Sequence, residues 1–190
     1  MEVHIRKLVQ ADLDDLSEMA KEKTSTNKEG YADFAGIGND TIFHLYVLPS
    51  DVRGSQLFSS YGYFVNGQLV AAIGTRALNL TPSWILSFIV TRPECIQSMS
   101  AIKDLIDFVI AEQERKGYLH WYVVSANKRF SVWQRLFKHL RTSYHHYTYA
   151  VIPANQPPTK LDLLDITGRK MFPYDITISM YVSKTMCTSI

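Results

Sequence analysis

The sequence predicts an α+β (mixed α/β) fold: a central, mostly antiparallel twisted sheet with helices on both faces. Three observations carry this. Segments of strand character outnumber helical ones. Asn66-Gly67 separates two of them, the strongest short signal for a tight hairpin. A long amphipathic segment then lies between two apolar strands, the arrangement of a helical crossover. With 190 residues, 46% apolar and 20% charged, the chain is long enough to bury a core and is read as one domain, 1–190.

Taken in order, His4 to Val9 alternates and reads as a strand. Asp12 then caps a helix whose Leu13, Leu16, Met19 and Ala20 form the buried stripe, with Asp14 and Asp15 suited to its positive end. The pattern fades after Lys23, and residues 24–60 read as a long loop that contributes a binding surface. Within it, Thr41 to Leu48 has the character of a strand or extended edge. Tyr61–Val65 and Leu69–Thr75 form the hairpin. Trp84 to Val90 is almost wholly apolar and reads as a central strand buried on both faces. Ser98 to Lys116 is an amphipathic helix presenting Ile102, Leu105, Ile106, Val109 and Ile110, and Gly117 stops it. Leu119–Val124 is a strand, Asn127–Leu140 a helix and Tyr144–Ile152 an aromatic strand. Pro153 to Pro158 opens a stiff, non-helical connector, extending to 173, expected to run over the surface. The alternating Asp175–Val182 is the last strand, expected to pair beside Leu119–Val124.

Composition excludes several classes. Twenty Lys+Arg against eighteen Asp+Glu give +2, too balanced to argue for nucleic acid or a membrane surface, and neither is expected as a partner. The apolar runs are of strand length and the N-terminus lacks a signal-like stretch, so a reduced, non-membrane setting is expected. Cys95 and Cys187 cannot form a metal cluster alone, and Cys95 without a placed His reads as inert. His120, His139, His145 and His146 read as scattered sheet and surface histidines, because adjacent strand residues point to opposite faces. Tyr118, Trp121, Tyr122, Tyr144, Tyr147 and Tyr149 read as cross-strand packing. Arg53, Arg76 and Arg92 read as solvated surface charges. There is no nucleophile elbow, and Gly36-Ile37-Gly38 lacks the strand-turn-helix setting of a dinucleotide loop.

Ile5-Arg6-Lys7-Leu8 with Ala11–Leu16, the run Gly62–Gly74, and the later strand–helix–strand–helix order resemble the GNAT (Gcn5-related N-acetyltransferase) family over nearly the whole chain. The resemblance implies an acetyl-CoA site on the strand Trp84–Val90 and the loop and helix after it. Gln97 stands at the first position of the family's Gln/Arg-x-x-Gly-x-Gly/Ala loop, with Ser100 and Ile102 at its glycine positions. The cofactor-binding residues so implied are Phe88, Val90, Gln97, Ser98, Ser100 and Ala101. The strand carries no carboxylate to serve as base, and Phe137 stands where many members place an acidic Tyr. Tyr144 or Tyr147 would have to replace that acid.

The stretch from Asn127 through Leu136–Arg141 to Tyr144–Tyr147 resembles small GNAT-like proteins of tailed bacteriophages. Together with the missing loop glycines and the missing base, that resemblance implies a protein without acetyl transfer or cofactor. Such a protein binds other chains, phage structural proteins among them, in a virion or host cytoplasm. The alternative it leaves is an acetyl-CoA-dependent N-acetyltransferase with an atypical pyrophosphate loop.

Overall fold

The computed structural model describes residues 2–26, 57–79, 82–92, 98–127, 134–167 and 171–185. Its strands are β1 (Val3–Lys7), β2 (Phe58–Val65), β3 (Gln68–Ala77), β4 (Ser83–Thr91), β5 (His120–Ala126), β6 (Tyr144–Ile152) and β7 (Ile176–Ser183). Its helices are α1 (Leu13–Thr26), α2 (Ser98–Arg115) and α3 (Leu161–Thr167), with 3-10 turns at Gln10–Asp12 and Lys138–Thr142. The seven strands lie in the order β1-β2-β3-β4-β5-β7-β6. β4 and β5 are parallel, whereas β1–β2, β2–β3, β5–β7 and β6–β7 are antiparallel. The chain divides into two compact units, Met1–Arg76 with Ser87–Glu112 and Ala77–Leu86 with Gln113–Ile190.

In the first unit, Asn66 and Gly67 take positive φ of 49° and 81°, the backbone a two-residue hairpin requires. This sets the β2–β3 register, with one irregularity at Tyr63/Phe64. Leu8, Leu16, Met19, Phe64, Leu69, Ala72, Phe88 and Val90 form a buried cluster, joined by Leu13 and Phe58. Gly62 is needed there, since a Cβ would lie 2.6 Å from both Leu69 and Leu8. Asp12 does not cap α1 from in front of it. It is the last residue of the 3-10 turn, and its carboxylate reaches back to accept Val9 N–H at 2.8 Å while taking two 2.7 Å bonds from Arg6. Thr41–Leu48 and residues 27–56 as a whole lie outside the described residues; β2 begins at Phe58, within the expected loop.

The second unit is built on aromatic packing. Trp84, Trp121, Tyr181 and His146 are register partners on successive strands, with ring centroids 5.1, 4.2 and 4.8 Å apart. Phe137 closes on Trp121 and Tyr181 edge-on. The last strand does pair with β5, as expected, and thereby separates β5 from β6. Both of its faces are covered: Thr177, Ser179 and Tyr181 are buried along with Ile176 and Ile178. The helix expected over Asn127–Leu140 is helical at 134–136 and then tightens into the 3-10 turn; residues 128–133 lie outside the description. The connector is not a bare surface excursion. Pro153–Pro158 is non-helical, but α3 follows, with Leu163, Ile166 and then Phe172 buried.

Among the described residues, no helix is long and apolar enough to cross a membrane.

Candidate functional site

The residues singled out for a cofactor lie on β4 and at the head of α2. The parallel register of β4 with β5 runs from Ser83↔His120 to Leu86↔Val123, and β4 continues to Thr91. In that continuation the side chains of Phe88 and Val90 belong to the core cluster facing Leu16 and Met19. Phe88 packs so closely over Gly74 that a Cβ there would collide with the ring. The side chains of Phe88 and Val90 are therefore part of the core and are not offered to a ligand.

At the head of α2, Ser100 is exposed and Ala101 is buried. The helix already includes Ser98, so its first N–H groups, which have no intrahelical acceptor, belong to the Ser98–Ala101 stretch. The first turn holds no acidic residue, which favours an anion there. Ile102, at the second expected glycine position, is buried on the core face of the helix. Gln97 lies outside the described residues.

Arg92 corrects the reading of a solvated charge. It is 9% exposed. Its Nε donates to the Leu69 carbonyl at 2.9 Å, its backbone N–H to Val70 at 2.9 Å, and Nη2 lies 3.5 Å from the Glu18 carboxylate. The guanidinium thus ties the exit of β4 to β3 and α1. Arginine is suited to this because its several donors can satisfy a carbonyl and a carboxylate together.

The candidate acids belong to the second unit. Tyr144 is 5% exposed and its hydroxyl donates to Glu114, near the C-terminal end of α2. Tyr144 is also a register partner of Ser183, at the end of the second unit where β5 starts and not where it ends. Tyr147 stands on β6, the last strand in the sheet order, and is 49% exposed. Phe137 is buried against the Trp121 and Tyr181 rings. Among the described residues, no three His, Cys, Asp or Glu side chains gather to hold a metal. Burial lowers the pKa of His120, and burial followed by the charge of Arg141 lowers that of His146.

Sequence reasoning missed the Arg92 clamp and the Tyr144–Glu114 bond. Both join residues distant in the chain, 23 and 30 positions apart, and no local spacing announces either.

The sequence matches no protein-family model and no curated protein significantly. Its structure is similar to that of a probable acetyltransferase from Staphylococcus epidermidis ATCC 12228, at 17% identity and a TM-score of 0.69, covering 96% of this chain and 99% of the other. The ribosomal-protein-S18-alanine N-acetyltransferase from Escherichia coli matches at 15% identity and a TM-score of 0.63, covering 96% and 94%. A GCN5-related N-acetyltransferase from Kribbella flavida matches at 11% identity and a TM-score of 0.66, covering 94% and 96%. At these identities the likeness shows the fold, which is GNAT-like.

Proposed function

We propose that this protein binds an acyl-CoA along β4 and the head of α2 and transfers the acyl group to an amine. The observation that carries this is the end-to-end likeness to proteins described as acetyltransferases. The residues present fit the ligand in two ways. The Phe88 and Val90 side chains are held in the core, so a pantetheine arm would meet β4 at its backbone, and the α2 head offers N–H groups, an exposed Ser100 and a first turn without an acid. The bound thioester would supply the activated acyl group. This chain would hold the pyrophosphate by Ser98–Ala101 and the pantetheine arm by the β4 backbone, with Arg92 fixing where β4 leaves the sheet.

β4 carries no ionisable side chain, and Tyr144 is committed to Glu114. Catalysis in this reading rests on proximity and on an amine that arrives neutral, so the rate should rise with pH along the acceptor's own titration. The second reading is a non-catalytic protein-binding component, including a virion component. It is favoured by that uncharged strand and the buried Phe137, and its virion form keeps only the short resemblance over Asn127–Tyr147.

A thermal-shift titration with acetyl-CoA separates the two. Ligand at one hundred times its Kd stabilises by about 2.7 kcal/mol. For a chain of this size that is a rise in Tm of roughly 5–11 °C. Ser100→Glu should leave the unliganded Tm equal or slightly higher, because an acid suits a helix N-terminus, yet abolish the shift by repelling the pyrophosphate. No shift for the parent at millimolar acetyl-CoA overturns acyl transfer and leaves the binding component.

A further inference from the structure

The aromatic ladder of the second unit ends on a titratable ring. Trp84, Trp121, Tyr181 and His146 stack in register across β4, β5, β7 and β6, and β6 is the end strand of the sheet order. The His146 ring lies 4.8 Å from that of Tyr181, which is itself buried. The Nε2 atom of His146 is buried and has no hydrogen-bond partner among the described residues. His145, the preceding residue, alternates to the opposite face, where its ring neighbours Tyr147.

The groups around this ring favour its neutral form. From the turn Lys138–Thr142, Arg141 sets a positive charge against it, while His139 of the same turn is bonded to the Leu136 carbonyl at 3.0 Å. Lys184, just beyond β7, donates to the Arg141 carbonyl at 2.7 Å. β7 itself supplies the Tyr181 phenol, whose pKa burial pushes up, and β5 supplies Trp121. Tyr144 shares a strand face with His146, and there the acid Glu114 accepts the Tyr144 hydroxyl. From Arg115 to Leu161 the sequence has no Asp or Glu. An imidazolium at this position would gain the attraction of the Tyr181 ring face. It would also put charge on a buried nitrogen without an acceptor, beside Arg141. Burial first, and then Arg141, hold the His146 pKa below the ordinary imidazole value.

We propose that His146 is an acid-sensitive latch on β6: the neutral ring favours the docked strand, and its protonation shifts β6 toward opening away from β7. In the open strand the ring titrates as an ordinary imidazole, near about pH 6.5. In the docked strand it titrates lower. The docked state therefore keeps its full advantage above about pH 6.5 and loses it as pH falls from there toward the docked-state value. That loss is at most about tenfold in the docking equilibrium per pH unit. An end strand is the element such a bias can move, because it opens at a lower free energy than the core. The latch lies within the second unit and is independent of acyl transfer.

The test is amide hydrogen exchange of the full chain between about pH 7.5 and about pH 5.5, either side of the ordinary imidazole value, corrected for the intrinsic pH dependence of exchange. In the parent, the β6 amides that bond β7 should lose protection by up to about tenfold per pH unit below about pH 6.5, while the β2–β3 hairpin keeps its own. His146→Phe keeps a ring on the ladder and cannot titrate, so its β6 protection should stay level. His145→Phe, changed on the opposite face, should respond as the parent does. The same loss in His146→Phe as in the parent overturns the proposal, as does a level response in His145→Phe. An equal loss in the β2–β3 hairpin also overturns it, because that is acid unfolding of the whole chain. An NMR titration of the parent's His146 ring needs no variant: a pKa at or above that of an ordinary imidazole overturns the latch.

Discussion

Replacing Arg92 with methionine keeps the aliphatic stem and removes the guanidinium, which isolates what that group contributes. The Nε bond to the Leu69 carbonyl, at 2.9 Å in a buried setting, is a hydrogen bond from a charged donor. Such bonds contribute about 1.5–3 kcal/mol. The contact with Glu18 is weaker on two counts: it is 3.5 Å long, and the Glu18 side chain is largely exposed. An ion pair of that kind contributes at most about 1 kcal/mol. The expected loss for Arg92→Met is therefore about 2–4 kcal/mol, and for Glu18→Gln about 0–1 kcal/mol. At roughly 2–4 °C per kcal/mol, the first variant should melt about 4–16 °C below the parent and the second within about 4 °C of it. Scanning calorimetry of both single variants and the double variant measures this directly. The double variant should melt close to Arg92→Met alone, because Glu18 has then already lost its partner. A parent-like melt for Arg92→Met would mean that the guanidinium is a surface charge after all. Equal losses for both single variants would move the clamp from the carbonyl to the ion pair.

Burial by itself would push the Asp12 carboxyl up, but the bonds from Arg6, the Val9 N–H and the Arg6 charge hold it below the ordinary range. A folded-state pKa below the unfolded one means that Asp12 stabilises fully above about pH 4 and loses that contribution as pH falls through its folded value. Asp12→Asn should accordingly be less stable than the parent by about 1–2 kcal/mol at pH 7, with the two denaturant midpoints converging as pH falls below the folded-state value of Asp12. Tyr144→Phe should cost about 1 kcal/mol in urea unfolding through the lost Glu114 bond and leave any acyl-transfer rate and its pH profile intact. A collapse of the rate with the parent's stability retained would restore Tyr144 as an acid. Replacing 154–172 with a Gly/Ser linker, which the sequence alone suggests a folded monomer would tolerate, removes the buried Leu163, Ile166 and Phe172. At about 2–5 kcal/mol each, the loss approaches the whole stability of a domain, so the swap should abolish cooperative unfolding; an unchanged urea midpoint would refute that.

Features that depend on near neighbours in sequence were legible. The hairpin at Asn66-Gly67 follows from two residues whose backbone tolerates positive φ, and Gly117, at φ 87°, ends its helix for the same reason. α2 followed from its stripe, because five residues at helical spacing define one face whatever they pack against. β7 was legible as a strand beside β5, but the burial of its polar positions was not. A strand flanked by both β5 and β6 is interior to the sheet, and Ser and Thr can be buried there because they hydrogen-bond, as Ser125 does to Thr177 and Thr177 does to Asn127. α3 was missed because the prolines before it were taken to govern the whole connector. They restrict only their own neighbours, and Leu161–Thr167 contains none.

The candidate site was legible only where the family pattern names positions. The pattern placed Phe88, Val90, Ser98, Ser100 and Ala101 on one strand end and one helix head, and they do lie there. It could not reveal which atoms of those residues remain available. Gly74 decides that for Phe88, since the absence of a Cβ lets the ring pack over it in the core and takes that side chain away from a ligand. The same reasoning applies to Ile102, whose burial on the core face means that losing a glycine there adds a side chain away from solvent. Missing glycines are thus weaker evidence against anion binding than they look in the sequence, because a helix head donates through its backbone whichever side chains it carries. The missing carboxylate is different. An ionisable group absent from Ser83–Thr91 cannot be supplied by repacking. In the proposed acyl transfer, the amine's own protonation would then set the pH dependence of the rate, and a rate that is flat with pH across that titration would count against the proposal.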